Sequence, residues 1–168
     1  MCQTYMEDFV HELYTRMDIL EPHQLSYQII STNLGIRVLH WYESSQALFF
    51  NNQSYIFLNT YLSEEQKWQD FCHELGHILL HVGNQRNLPR EFVYYQEEKA
   101  NLFMYHACIP SFMLKQLKIC DATYETIKMI RELFCVEENF AKKRLERYLN
   151  NLFYRHVVYN EQFISNWL

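Results

Sequence analysis

The chain is 168 residues long, 49% hydrophobic and 21% charged, with a net charge of −5. That length suits one domain with a real core, and the composition is that of an ordinary globular protein. The acidic balance argues against bulk attraction to nucleic acid or to an anionic membrane. Five scattered cysteines (Cys2, Cys72, Cys108, Cys120, Cys135) form no C-x-x-C pair, which suits reduced thiols in a cytoplasmic setting. The first twenty residues lack a basic start and an apolar core, and no apolar run reaches membrane-spanning length. The expectation is a cytoplasmic protein that engages no membrane.

In chain order, Tyr5, Met6, Phe9, Val10, Leu13, Tyr14 and Met17 recur at helical spacing between Glu7, Asp8 and Glu12. This predicts an amphipathic helix within 4–19. Glu21-Pro22 predicts the start of a second helix, since proline is accepted in a first turn. It would carry Leu25, Ile29 and Ile30 inward and end at Gly35, a left-handed cap. From Ile36 the period shifts to two: Ile36, Val38 and His40 alternate with Arg37, Leu39 and Trp41. Runs at 47–50 and 55–58 follow, joined by Asn51-Asn52, a pair that tolerates positive φ. The expectation is a small antiparallel sheet of about three strands over 36–58. Its last strand, at 54–58, is expected to be an edge able to take up an extended peptide.

The helix predicted over 63–82 carries the chemistry. Ser63 suits its N-cap, with Glu64 and Glu65 in the first turn. Trp68, Phe71, Cys72, Leu75, Ile78, Leu79 and Val82 gather on one side of the helix, and His73, Gly76 and His77 on the other. His73-Glu74-Leu75-Gly76-His77 matches H-E-x-x-H, in which two imidazoles one turn apart close on one metal ion and the glutamate acts on a water held there. Gly76 weakens a helix by roughly 1 kcal/mol relative to alanine, so its place between two ligands predicts a close neighbour.

A further helix, over 89–108, opens at Pro89, stops before Pro110 and carries Glu97, Ala100, Asn101, Met104 and Cys108 on one face. Catalytic zinc needs a third protein ligand and a position left for water. Glu97 is preferred for that ligand; Glu98, its rival, points about 100° round the helix. His73, His77 and Glu97 around one Zn2+ would form a gluzincin-like peptidase site, with Glu74 as general base. His81 continues the four-residue spacing, but residues 73 and 81 lie about 12 Å apart along a straight helix, too far for one ion. His81 and Asn101 are therefore read as residues of the cleft or behind the ligands, and Tyr94 as a cleft candidate near the Glu97 face. Cys72 faces the core side and offers no nucleophile.

Helical stretches follow at 111–118, 123–134 and 138–149, and 150–168 shows no period. The chain thus divides into a zincin-like domain over 1–110 and a helical region over 111–168 packed on it, helix-turn-helix-like at 123–149. Lys142, Lys143, Arg144 and Arg147 form a basic cluster there. Glu137, Glu138 and Glu146 interrupt it, so direct binding to DNA is not expected.

The order of these blocks resembles the ImmA/IrrE family of zinc metallopeptidases. The match includes Tyr55-Ile-Phe-Leu-Asn59 before the motif helix, then HELGHILLH from His73 to His81. It continues with Glu97-Glu-Lys-Ala100-Asn101-Leu-Phe103 leading to Ile109-Pro110. The resemblance is strong over about 35–110 and weak over 111–149. It departs at Cys72, Met104 and Ala107-Cys108. It implies an α+β, minimal zincin-like fold, zinc on His73, His77 and Glu97, and Glu74 as general base. It also implies a phage or bacterial regulatory protease acting in transcription regulation by cutting a helix-turn-helix repressor. The alternative is a non-proteolytic regulator that binds a repressor or antitoxin.

Overall fold

The computed structural model describes the backbone of residues 5–80 and 89–165. Asn51 and Asn52 both take left-handed angles (φ 50 and 58), the pair of values a two-residue hairpin turn of this hand requires. They join β2 (Gln46–Phe50) to β3 (Gln53–Asn59) as an antiparallel hairpin, with Phe50 opposite Gln53 and Gln46 opposite Phe57. β1 (Arg37–Trp41) lies on the other flank of β3 and runs parallel to it, with Arg37 opposite Tyr55 and Trp41 opposite Asn59.

The sheet has the expected three strands, but it is mixed rather than antiparallel. Its order, β1-β3-β2, is the reason. The chain reverses between β1 and β2, yet β3 returns in the gap between them and so shares the direction of β1. β3 is consequently the central strand, with Ile56 and Leu58 fully buried, and not the edge that its position before the motif helix suggests. The free edge beside that helix belongs to β2.

The N-terminal part follows the predicted pattern with local changes. α1 (Tyr5–Arg16) buries Met6, Val10 and Tyr14, and the Tyr14 hydroxyl donates to the Ala107 carbonyl at 2.9 Å; Tyr5 is exposed. The single helix expected after Pro22 is divided. A 3-10 turn (Pro22–Gln24) is closed by a capping box between Glu21 and Gln24. Leu25 is then extended, and α2 (Tyr27–Asn33) restarts under a Ser26 cap. The restart turns Ile30 into the core and leaves Ile29 exposed. Gly35 has φ +64, the left-handed conformation its position predicted.

α3 (Glu64–Leu80) opens with a reciprocal cap: Ser63 Oγ accepts from the Gln66 N–H, and Gln66 Oε1 from the Ser63 N–H, at 3.2 Å each. Trp68, Phe71, Cys72 and Leu75 are buried along it. α4 (Arg90–Cys108) packs against α3 at backbone range: a Cβ on Gly76 would lie 3.1 Å from Ala100 Cα and 3.2 Å from Phe103 Cδ1. The glycine is there because another helix occupies its side-chain space.

α5 (Ser111–Gln116), α6 (Tyr124–Phe134) and α7 (Glu138–Ser165) complete the chain. Ile130, Phe134, Ala141 and Leu145 join the same buried cluster as Val10, Phe71 and Leu75. Glu137, between α6 and α7, accepts from the side-chain amides of Gln66 and Gln69 at 3.0 Å each and donates its N–H to Gln69 Oε1, tying these helices to α3. α7 does not stop at 149 but continues to 165; Leu152, Phe153 and Tyr154 are exposed, which is why that stretch shows no amphipathic period. Among the described residues no helix is long and apolar enough to cross a membrane.

Candidate metal centre

Two histidines four apart on α3 meet one carboxylate from α4. The Nε2 atoms of His73 and His77 lie 3.0 Å apart, Glu97 Oε2 is 3.3 Å from His73 Nε2, and Glu97 Oε1 is 3.5 Å from His77 Nε2. A tetrahedral ion with bonds of about 2.05 Å sets its ligand atoms ~3.3 Å apart, so this spacing fits zinc. It is the group of residues among those described that could hold a metal ion. The two rings are about one-fifth exposed or less and Glu97 is half-buried, so the cluster opens to one side rather than being sealed.

The ligand positions follow from local structure. The four-residue step puts both imidazoles on one helix face, and the close approach at Gly76 and Ala100 brings α4 near enough for Glu97 to reach them. Glu98, the rival ligand, is exposed and points into a different cleft, between α4 and α7. Asn101 lines that cleft too, and no hydrogen bond joins it to either histidine. Tyr94 is 69% exposed and has no hydrogen bond to the three converging residues. His81 lies outside the described residues. Cys72 is fully buried on the core side, as its place on the helix required.

Glu74 stands one residue from the first histidine. Its Oε2 accepts the Ala47 N–H at 2.7 Å, and its Oε1 takes part in no hydrogen bond among the described residues. Burial pushes its carboxyl up to about 8. The Ala47 hydrogen bond opposes that rise, while the negative Asp70 and Glu97 add to it. The Ala47 contact locates β2 against α3 and shows that this N–H points away from β3. In an antiparallel pair every second residue turns its backbone groups outward, so Phe49 shares that outward edge. The sequence does not reveal this contact, because only the strand order makes β2 the edge.

Sequence reasoning also missed a buried polar chain behind the site. Arg144, read as part of a basic surface, is 1% exposed, and Glu7, read as solvent-facing, is 4% exposed. Arg144 Nη2 donates to Ser111 Oγ at 2.6 Å, and the Ser111 hydroxyl donates to Glu7 Oε1 at 2.8 Å. Burial lowers the Arg144 pKa to about 10, with Glu7 opposing. The basic cluster expected on this helix therefore loses its central member to the core.

Residues 32–146 match the Peptidase M78 family, described as the IrrE N-terminal-like domain. The chain is 36% identical over 145 residues to phage-like element PBSX protein XkdA of Bacillus subtilis (strain 168), covering 86% of this chain and 73% of XkdA. It is 34% identical over 149 residues to uncharacterized protein YqaB of the same organism, covering 89% of this chain and 87% of YqaB.

Proposed function

This chain belongs to the Peptidase M78 family, and we propose that it is a zinc-dependent endopeptidase that cleaves a specific regulatory protein, a helix-turn-helix repressor of a phage or mobile element. The observation that carries the reading is the convergence of His73, His77 and Glu97 within bonding range of one ion, with Glu74 beside them. The phage-like element named for XkdA supports the setting.

His73, His77 and Glu97 would hold the zinc, which when bound polarises a peptide carbonyl and acidifies water. Glu74 accepts the proton from the attacking water through its unbonded Oε1 and returns it to the leaving amine, while the Ala47 N–H fixes its other oxygen. The outward edge of β2 receives the substrate as an added extended strand, which holds the scissile bond across the cleft. Exposed Leu48, Phe49 and Phe50 on that strand favour apolar side chains in the bound segment.

One contact favours a second reading, a non-proteolytic regulator that binds a repressor or antitoxin. The Ala47 N–H already engages Glu74, an arrangement that can serve as a fixed structural tie. Glu74→Gln separates the two. Under the first reading it stops cleavage of a co-expressed repressor while zinc stays near one per chain; full activity of that variant in a reporter assay establishes the second. A chain that purifies without zinc, and in which His73→Ala changes nothing, overturns the metallopeptidase reading altogether.

A further inference from the structure

α4 has a second working face. On the side turned away from α3, Tyr95, Lys99 and Tyr105 line a cleft of about 820 Å3 whose other wall is Arg144, Arg147 and Asn151 of α7. Three cations (Lys99, Arg144 and Arg147) meet a single acid, Glu98, in a chain whose net charge is −5. None of the three takes part in a salt bridge among the described residues. Lys99 Nζ instead lies 5.4 Å from the centre of the Tyr95 ring, and Arg147 Cζ 4.4 Å from that of Tyr105.

Arg144 makes this a built site rather than a solvated groove. Its guanidinium is buried, and its Nε donates to the carbonyls of Tyr105 and Ile109 at 3.1 and 3.0 Å. Nη2 donates to Ser111 Oγ and to His106 Nδ1, the latter at 3.3 Å. Nη1 has no hydrogen-bond partner among the described residues. Burying a guanidinium costs several kcal/mol unless its donors are satisfied; here Nε and Nη2 are satisfied within the protein, while Nη1 is not a buried orphan and is open to water or a ligand from the cleft.

We propose that this cleft binds a small molecule of nucleotide size that carries a phosphate group. Its volume falls within the range of small-molecule sites. A planar guanidinium fork, an ammonium and the amides of Asn101, Asn150 and Asn151 match the several acceptor oxygens of a phosphate better than the two of a carboxylate. Tyr95, exposed on the cleft wall, offers a face on which a flat ring system stacks, whereas Tyr105 is already packed between Phe140 and Arg147. Occupancy requires neither zinc nor proteolysis.

The test is calorimetric titration of the full chain with AMP, GMP, glucose 6-phosphate and pyrophosphate, beside a single-stranded oligonucleotide. Saturable one-to-one binding of at least one of the four phosphate compounds is expected. It should weaken by about tenfold in each of Lys99→Gln and Arg147→Gln, two solvent-reaching changes, with circular dichroism unchanged. Three results overturn the proposal: no saturable binding of any of the four at millimolar concentration, binding that survives the Lys99→Gln/Arg147→Gln double variant, or steeply salt-dependent binding of the oligonucleotide alone.

Discussion

The two faces of α4 solve opposite problems. Toward α3 the helix presents small residues and one acid, and the backbones meet so closely that no Cβ fits at Gly76. Toward α7 it presents long polar side chains, and an open cleft is floored by a buried guanidinium. The first face fixes three ligand atoms within a few tenths of an ångström of a tetrahedral ion's needs by removing freedom. The second keeps space and charge in reserve. The proposed metal site is made rigid by contact, whereas the proposed ligand cleft is made rigid only in its floor.

Four substitutions would break or sharpen this contrast. Glu74→Gln, on the rigid side, is expected to lower cleavage by ~10²–10⁴-fold, the usual loss when a general base is removed. Zinc content and melting temperature should not move, and a melting temperature that falls would assign Glu74 a structural role. Arg144→Met, on the open side, removes a buried cation that faces Glu7 through Ser111 and is expected to lower unfolding free energy by ~3–5 kcal/mol in urea titration. Adding Glu7→Gln to it should restore most of that loss. A single variant as stable as the wild type would show that the floor of the cleft is not held by this chain of bonds.

Gly76→Ala returns to the rigid face. Its methyl group would meet Ala100 backbone at 3.1 Å, an overpacking cost of about 1–3 kcal/mol against roughly 1 kcal/mol of improved helix propensity. The expected net loss of stability, up to about 2 kcal/mol, should come with weaker zinc retention in competition with a chelator. Unaltered retention would mean that the ligands do not depend on this contact. Arg147→Gln has the smallest expected effect, less than ~1 kcal/mol in thermal unfolding, because its guanidinium rests on an aromatic face at the solvent boundary. A larger loss would make that wall of the cleft structural.

The same contrast explains what the sequence disclosed. His73, Glu74 and His77 lie within one helical turn and a half, so periodicity alone shows that they share a face, and Glu97 sits on the helix that the glycine's missing side chain anticipates. Local spacing was legible in the motif helix, but not after Pro22, where one expected helix is two and Ile29 faces out. Arg144 was not legible either, because its burial depends on Ser111 and, through it, on Glu7, which lies 104 residues before Ser111. A helix with two lysines just before a buried arginine, and another arginine three residues after it, looks like any solvated basic face. The sheet was legible to the same limit: strand positions and the Asn51-Asn52 turn follow from neighbouring residues, but the placing of β3 between its partners does not. That one unread fact moved the free sheet edge from the strand before the motif helix to β2.

The position of β3 also orders events in time. Its pairing with β2 closes across two residues, which a chain can accomplish in microseconds, whereas pairing β1 with β3 must close a longer loop that contains all of β2. The edge that faces Glu74 is therefore expected to assemble early and the outer parallel strand to be recruited late. In folding kinetics, Asn52→Ala should slow refolding, and Val38→Ala on β1 should mainly hasten unfolding. The reverse pattern would place the start of folding elsewhere in the chain.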